Sequence, residues 1–231
     1  KIFLTARNEN DLKSVQTEIE TECGVEVGCL AVDITTADAG DEIVAAALEQ
    51  FGQVDIVVNA AGAARGGVFL DIEDQIWRDA FDLKFMGAVR LCRAVIPHMQ
   101  KQKYGRIVNI IGMFGREPAK QALPASAVNA AFMAINKGLS QTYGGDGIFI
   151  NAVDPGPTRS ERILRLFADM AEVNKTTPEE LENGFRQKIP IGRLGEVEEV
   201  ARVVTFLASD ASGNVNGTVL AVDGGMTNGL F

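Results

Sequence analysis

Histidine is nearly absent: His98 stands alone among 231 residues. That excludes a multi-histidine metal site, so no metal is expected, and it leaves little for a serine–histidine nucleophile. His98 follows Pro97 near the end of a helical stretch and is expected at the surface. Cysteine is almost as scarce. Cys23, Cys29 and Cys92 are an odd number without metal-like spacing, and Cys29 and Cys92 sit in apolar surroundings, which suits buried thiols of a reducing compartment and gives an expected cytoplasmic setting. Basic residues are outnumbered 22 to 31, for a formal net charge of -9. A nucleic-acid partner, which needs a basic face, is therefore not expected. No apolar run is long enough to cross a bilayer, and no linker or charge block divides the chain, so the expectation is one domain over residues 1–231 without a membrane partner. No signal peptide is visible. Lys1 opens directly on an apolar strand without a starting methionine, and the native start is expected to lie ahead of it.

What the chain does have is glycine, 24 residues of it, and 46% hydrophobic content. Ile2 to Ala6 reads as a short strand, followed by Leu12, Val15 and Ile19 at helical spacing with Asn8 or Asn10 as N-cap. Val25 to Val32 is a second strand ending at Asp33-Ile34-Thr35. Ile43 to Phe51 is an amphipathic helix, and Val54 to Ala60 a third strand that runs into Gly62. A long helical region, roughly Gln75 to Lys103, leads to the β-branched run Ile107, Val108, Ile110, Ile111. From Ala122 to Leu139 small and apolar residues recur at helical spacing. Ile148 to Val153 is a further strand, Val200 to Ala208 is helical, and Val219 to Val222 ends the sheet. Such alternation, with strands closing in Gly, Asn or Asp, predicts a doubly wound parallel α/β sheet covered on both faces. In that architecture ligands sit at the carboxyl ends of the strands, so the loop from Gly112 to Leu123 is where chemistry is expected.

Residues 161–194 break the pattern. They are charged, carry Pro178 and Pro190, and contain two helical patches, Ile163 to Ala171 and Pro178 to Phe185, the second with Thr177 as N-cap. A loop this long is expected to act as a lid or substrate wall. An oligomer contact is the competing use.

Several short stretches together resemble the short-chain dehydrogenase/reductase family over nearly the whole chain. They are Asp33 in VDIT, Asn59-Ala60-Ala61-Gly62, Gly105 to Ile110, Asn151-Ala152-Val153-Asp154-Pro155-Gly156, Gly217-Thr218 and Val222-Asp223-Gly224-Gly225. The resemblance implies a Rossmann-like sheet that binds NADP or NAD, a small carbonyl or alcohol substrate, and a homodimer or homotetramer.

Laid on the chain without gaps, the family pattern puts Lys84 where asparagine is usual, Gly112 where serine is usual, Ala125 where tyrosine is usual and Asn129 where lysine is usual. In the family, tyrosine exchanges the proton, lysine lowers its pKa and serine binds the carbonyl oxygen. Gly, Ala and a neutral amide can do none of this. Tyr104 precedes the strand at the wrong edge of the sheet, and Tyr143 lies several helical turns beyond Ala125. Lys84 is the one new ionisable side chain at these positions and is the candidate catalytic residue. Its competing use is as a surface lysine.

For the cofactor, Arg7 stands just past the first strand, where a guanidinium would pair with an adenosine 2′-phosphate, so NADP is preferred over NAD. The resemblance also assigns Asp33 and Ile34 to the adenine end, Asn59, Ala60, Ala61 and Gly62 to the adenosine ribose, and Pro155, Gly156 and Ser160 to the nicotinamide. Asp33 could equally cap the helix after Thr35. The family's TGxxxGxG loop is not in these residues, nor is the central strand that carries it. About 30 residues of one strand–helix unit are expected ahead of Lys1. Three functions remain open: an oxidoreductase with a non-standard proton donor, a non-catalytic dinucleotide-binding scaffold or sensor, and a lyase or isomerase on the same fold.

Overall fold

Strand β4 (Gly105–Ile110) runs through the middle of the larger sheet, and its sequence explains why. Ile107 and Val108 are both fully buried because successive side chains leave opposite faces of a strand, so β-branched residues at consecutive positions need cover on both sides. In the computed structural model, which describes residues 1–63 and 65–229 and only the backbone of Asp169, Val173 and Asn174, that cover is helical. Parallel ladders join β4 to β3 (Ile56–Asn59) and to β5 (Ile148–Pro155), with Val57 beside Ile107 and Ile107 beside Ile150. Strand β8 (Val219–Val222) adds to the far side of β5. The order is β3-β4-β5-β8, all parallel.

A second parallel pair, β1 (Ile2–Ala6) and β2 (Val27–Ala31), forms a block of its own. Among the described residues no strand pairs between β1 and β3, and Ile56 and Val58 stay exposed there. The expected parallel α/β arrangement, with helices on both faces of the sheet, is present.

Helices α2 (Ala39–Phe51) and α4 (Gly87–Gln102) cover one face, where Ile43, Val44, Leu91 and Val95 meet Val57, Ile107 and Ile150. Helix α5 (Leu123–Tyr143) extends that layer, with Phe132 against Ile111 and Ala152. On the other face Leu207 of α8 (Val197–Ala208) packs on Val108 and Val153. Helix α1 (Glu9–Cys23) flanks the first pair and begins at Asn8, whose side chain accepts from the Asn10 amide at 3.0 Å. Cys92 is buried as expected, whereas Cys29 is only half-buried.

Two departures bear on function. The helical region expected as one piece is α3 (Asp74–Ala80), then a π-helical stretch over Phe81–Met86, then α4. The wider turn is the kind of local irregularity that re-aims side chains and recurs at functional sites. Lys84 lies inside it. The segment 161–194 also has its own small core: α6 (Glu161–Asn174) and α7 (Pro178–Arg186) gather Ile163, Leu181 and Phe185 around buried Phe167, Ile189 and Leu194. Its base is clamped by a two-residue parallel ladder between β6 (Thr158–Arg159) and β7 (Gly195–Glu196). Thr177 opens α7 in a reciprocal cap with Glu180, as its sequence predicts.

Candidate active site

Lys84 is not a surface lysine. Its ammonium donates to the Ile111 carbonyl and, at 2.7 Å, to Asn129 Oδ1. Asn129 is itself buried, and its Nδ2 donates to the Gly112 carbonyl at 3.0 Å. Three positions that depart from the family pattern, 84, 112 and 129, thus form one hydrogen-bonded chain. Gly112 adopts φ 113°, a region that side chains disfavour, and a Cβ there would stand 3.2 Å from Asn129 Nδ2. The amide occupies space that a serine would need.

Burial, followed by the repulsion of Arg162, pulls the Lys84 ammonium down to a pKa of about 8, against a smaller opposing attraction from Asp154. An ammonium poised there can deliver a proton at ordinary working pH and recover it from solvent. Asp154, near the end of β5, is fully buried, and among the described residues neither of its oxygens has a hydrogen-bond partner of good geometry. Its nearest counter-charge is Arg116 Nε at 3.3 Å. Desolvation raises its pKa to about 6, with Arg116 pulling the other way and Asp223 adding to the rise.

Two clefts meet at Lys84. The larger, about 920 Å³, is lined by Ile111, Phe114, Ala125, Val128 and Asn129 on the sheet side and by Ser160, Arg162 and Leu166 on the α6 side. The smaller, about 450 Å³, runs from Arg7 past Val32, Ile34 and Asn59 to Ala63. Gly62, Ala63 and Lys84 line both. The close fit at Gly62 has a steric reason: a Cβ there would sit 3.0 Å from Lys84 Cδ.

The smaller cleft gathers Arg7, Ile34, Asn59, Ala60, Ala61 and Gly62 of the cofactor set. Arg7 is exposed at its mouth, and no carboxylate pairs with it among the described residues. Asp33 Oδ1 accepts from the Thr35 amide at 3.0 Å and the Thr35 hydroxyl at 2.8 Å, which lowers its pKa. Asp33 thus caps the turn at Thr35 and not the helix foreseen for it, because α2 begins only at Ala39 after Asp38. The Asn59 amide turns inward and donates to Asn109 Oδ1 at 2.8 Å, so its side chain is held in the fold. Ser160 caps α6, accepting from the Ile163 amide, and lines the larger cleft. Pro155 and Gly156 close β5 against β8 through Gly156 N–H to Val222 O, and neither lines either of these two clefts. Tyr104 bonds Asp210 at the opposite end of β4, and Tyr143 packs into the core, so neither reaches the site.

Sequence reasoning did not single out Arg162, Arg116 or Asp154. An acid closing an apolar strand run was the available signal for Asp154. Arg162 carried none beyond its place in a charged segment.

A family model described as enoyl-(acyl carrier protein) reductase matches residues 1–227. Gluconate 5-dehydrogenase of Gluconobacter oxydans is 33% identical over 230 residues, covering 100% of this chain and 86% of that enzyme. The 3-oxoacyl-(acyl-carrier-protein) reductase of Chlamydia muridarum is 31% identical over 219 residues, 95% of this chain and 84% of that one. Among solved structures, L-sorbose reductase from Gluconobacter frateurii, complexed with NADPH and L-sorbose, superposes with a TM-score of 0.94 at 27% identity, covering 99% of this chain and 87% of the other. The match over almost the full length, together with the sheet order and the paired clefts, places this chain in the short-chain dehydrogenase/reductase family.

Proposed function

We propose that this chain is an NADP-dependent oxidoreductase acting on a small carbonyl or alcohol, with Lys84 as its proton donor. The observation that carries this reading is the position of the Lys84 ammonium, where the two clefts join, held by Asn129 and poised near pH 8. The smaller cleft suits a dinucleotide because it is open along the strand ends, has no side chain at Gly62 and carries an unpaired guanidinium at one mouth. The cofactor, when bound, supplies the hydride. Lys84 contributes the proton to the developing alkoxide oxygen and retains its place through Asn129 Oδ1. Apolar Ile111, Phe114, Val128 and Leu166 keep water from the carbonyl, and α6 acts as the substrate wall. Relatives named for a ketose and for an oxoacyl thioester carrier both act on a carbonyl, which supports the reaction type and leaves the substrate to the cleft's own chemistry.

A fluorescence titration with NADPH and NADH, followed by a carbonyl and alcohol panel, tests the reading. NADPH should bind more tightly, and Arg7→Asp should weaken NADPH by about a hundredfold while leaving NADH within a few-fold. Reduction should fall along an alkaline limb near pH 8, because the donor is lost as Lys84 deprotonates. Lys84→Ala should abolish turnover with cofactor affinity retained. Cofactor binding with no turnover by the intact protein would instead favour a scaffold.

A further inference from the structure

The charges lining the larger cleft are not balanced. Among the described residues, four ionisable side chains line it: Lys84, Glu161, Arg162 and Arg165. Glu161 is taken by Arg165, its neighbour one helical turn on, at 2.9 Å. That leaves Lys84 and Arg162 without a carboxylate within salt-bridge distance among the described residues. They come from elements far apart in sequence and repel one another at the cleft, which adds to the larger effect of burial in lowering the Lys84 pKa. In a chain of net charge -9 such a meeting of cations is a local cost that an anion between them would offset. Arg162 is also placed to hold one. Its Nη1 donates to the Gly62 carbonyl at 3.1 Å, which fixes the guanidinium over the junction of the clefts while leaving most of its N–H donors free. The opposite wall, Ile111, Phe114 and Val128, is apolar.

Resting on the carbonyl-reductase reading, we propose that the substrate is an oxo compound with its own carboxylate or phosphate, which Arg162 anchors while the apolar wall takes the carbon chain. The anion would lie on the α6 side and the carbonyl toward Lys84. A shared chemistry must be separated here, because the cofactor's diphosphate is also an anion that could reach this guanidinium.

The test measures binding rather than turnover, so that it stands apart from the reductase reading. The NADPH-loaded protein is titrated calorimetrically with straight-chain oxo acids of four to eight carbons, each paired with its methyl ester. At least one acid should bind about tenfold or more tightly than its ester. Arg162→Gln should erase that preference while NADPH affinity stays within about threefold, and Arg162→Lys should keep part of it. The inference is overturned if no acid outbinds its ester, or if Arg162→Gln loosens NADPH as much as it loosens the acid, which would assign the cation to the diphosphate. Acids that bind selectively but never turn over would leave the anchor standing and remove the reductase reading. Neutral ketones reduced as readily as oxo acids would do the reverse.

Discussion

Two buried polar chains leave strand β4 within a few residues of each other, and they are built of different material. The first is neutral: Asn59 donates to Asn109, Asn109 to Asn136 at 2.9 Å, and Asn136 to the Thr218 carbonyl, so that β3, β4, α5 and the approach to β8 are tied by amides alone. The second, Lys84 to Asn129 to the Gly112 carbonyl, with Asp154 and Arg116 beyond, carries full charges out of water. Amides satisfied on both sides are inexpensive to bury and rigid. Charges that remain poorly paired are costly, and their shifted pKa values are the sign of that cost. The contrast separates a fastening from a working part: the neutral chain should govern stability and the charged one activity.

The largest effect is expected where the two roles diverge most. Lys84→Met should lower kcat/KM for reduction by about a thousandfold or more, roughly 4 kcal/mol of transition-state stabilisation, while the melting temperature holds or rises because a buried cation is gone. A variant that loses activity only by unfolding would erase the distinction. In the neutral chain, Asn109→Ala strands a donor on Asn59 and an acceptor on Asn136, and should lose about 2–4 kcal/mol of stability by denaturant titration. Turnover per folded molecule should be unchanged.

Gly112→Ser sharpens the comparison from the other side. Restoring the family's usual serine should not restore its chemistry, since the new Cβ presses on the Asn129 amide and sits at positive φ. Stability should fall by about 1–2 kcal/mol, and the alkaline limb of the pH profile should move as Lys84 loses its acceptor. Improved turnover without such a shift would mean that Asn129 does not govern Lys84.

The last effect is one of pH dependence and concerns Asp154. Its folded pKa of about 6 lies above the usual carboxylate value, so the native state binds more protons than the unfolded chain between about pH 4 and 6. Its contribution to stability therefore falls as pH rises through that window. Asp154→Asn removes the fall, and its melting temperature relative to wild type should gain a few degrees between pH 4 and pH 7. A constant difference across that range would show that Arg116 fully compensates the charge.

The local parts of this architecture could be read from the chain itself. The strand end at Asn59 and the Thr177-Pro178 helix start each depend on a few adjacent residues, and the fold places them as expected; of the two asparagines offered as the first cap, it takes Asn8. The site was legible only as a set of departures. Lys84 and Asn129 are 45 positions apart, and nothing in either neighbourhood says that they touch. A lysine in a helical pattern reads as solvated until a π-helical stretch turns it under Gly62. Arg162 was hidden for a similar reason: in a segment rich in charge, only packing shows which cation lies over the cleft and which is already paired.

Because Lys84 borders both clefts, the protonation of one nitrogen is shared by whatever fills either of them. An anion arriving on either side favours the charged ammonium, so near pH 8 binding should draw a proton from solution. The heat of binding would then change with the ionisation enthalpy of the buffer, and the number of protons taken up would fall toward zero well below pH 8, where Lys84 is already charged. Occupancy at one end of the groove would thus be felt at the other through hydrogen-ion uptake, without any movement of the backbone.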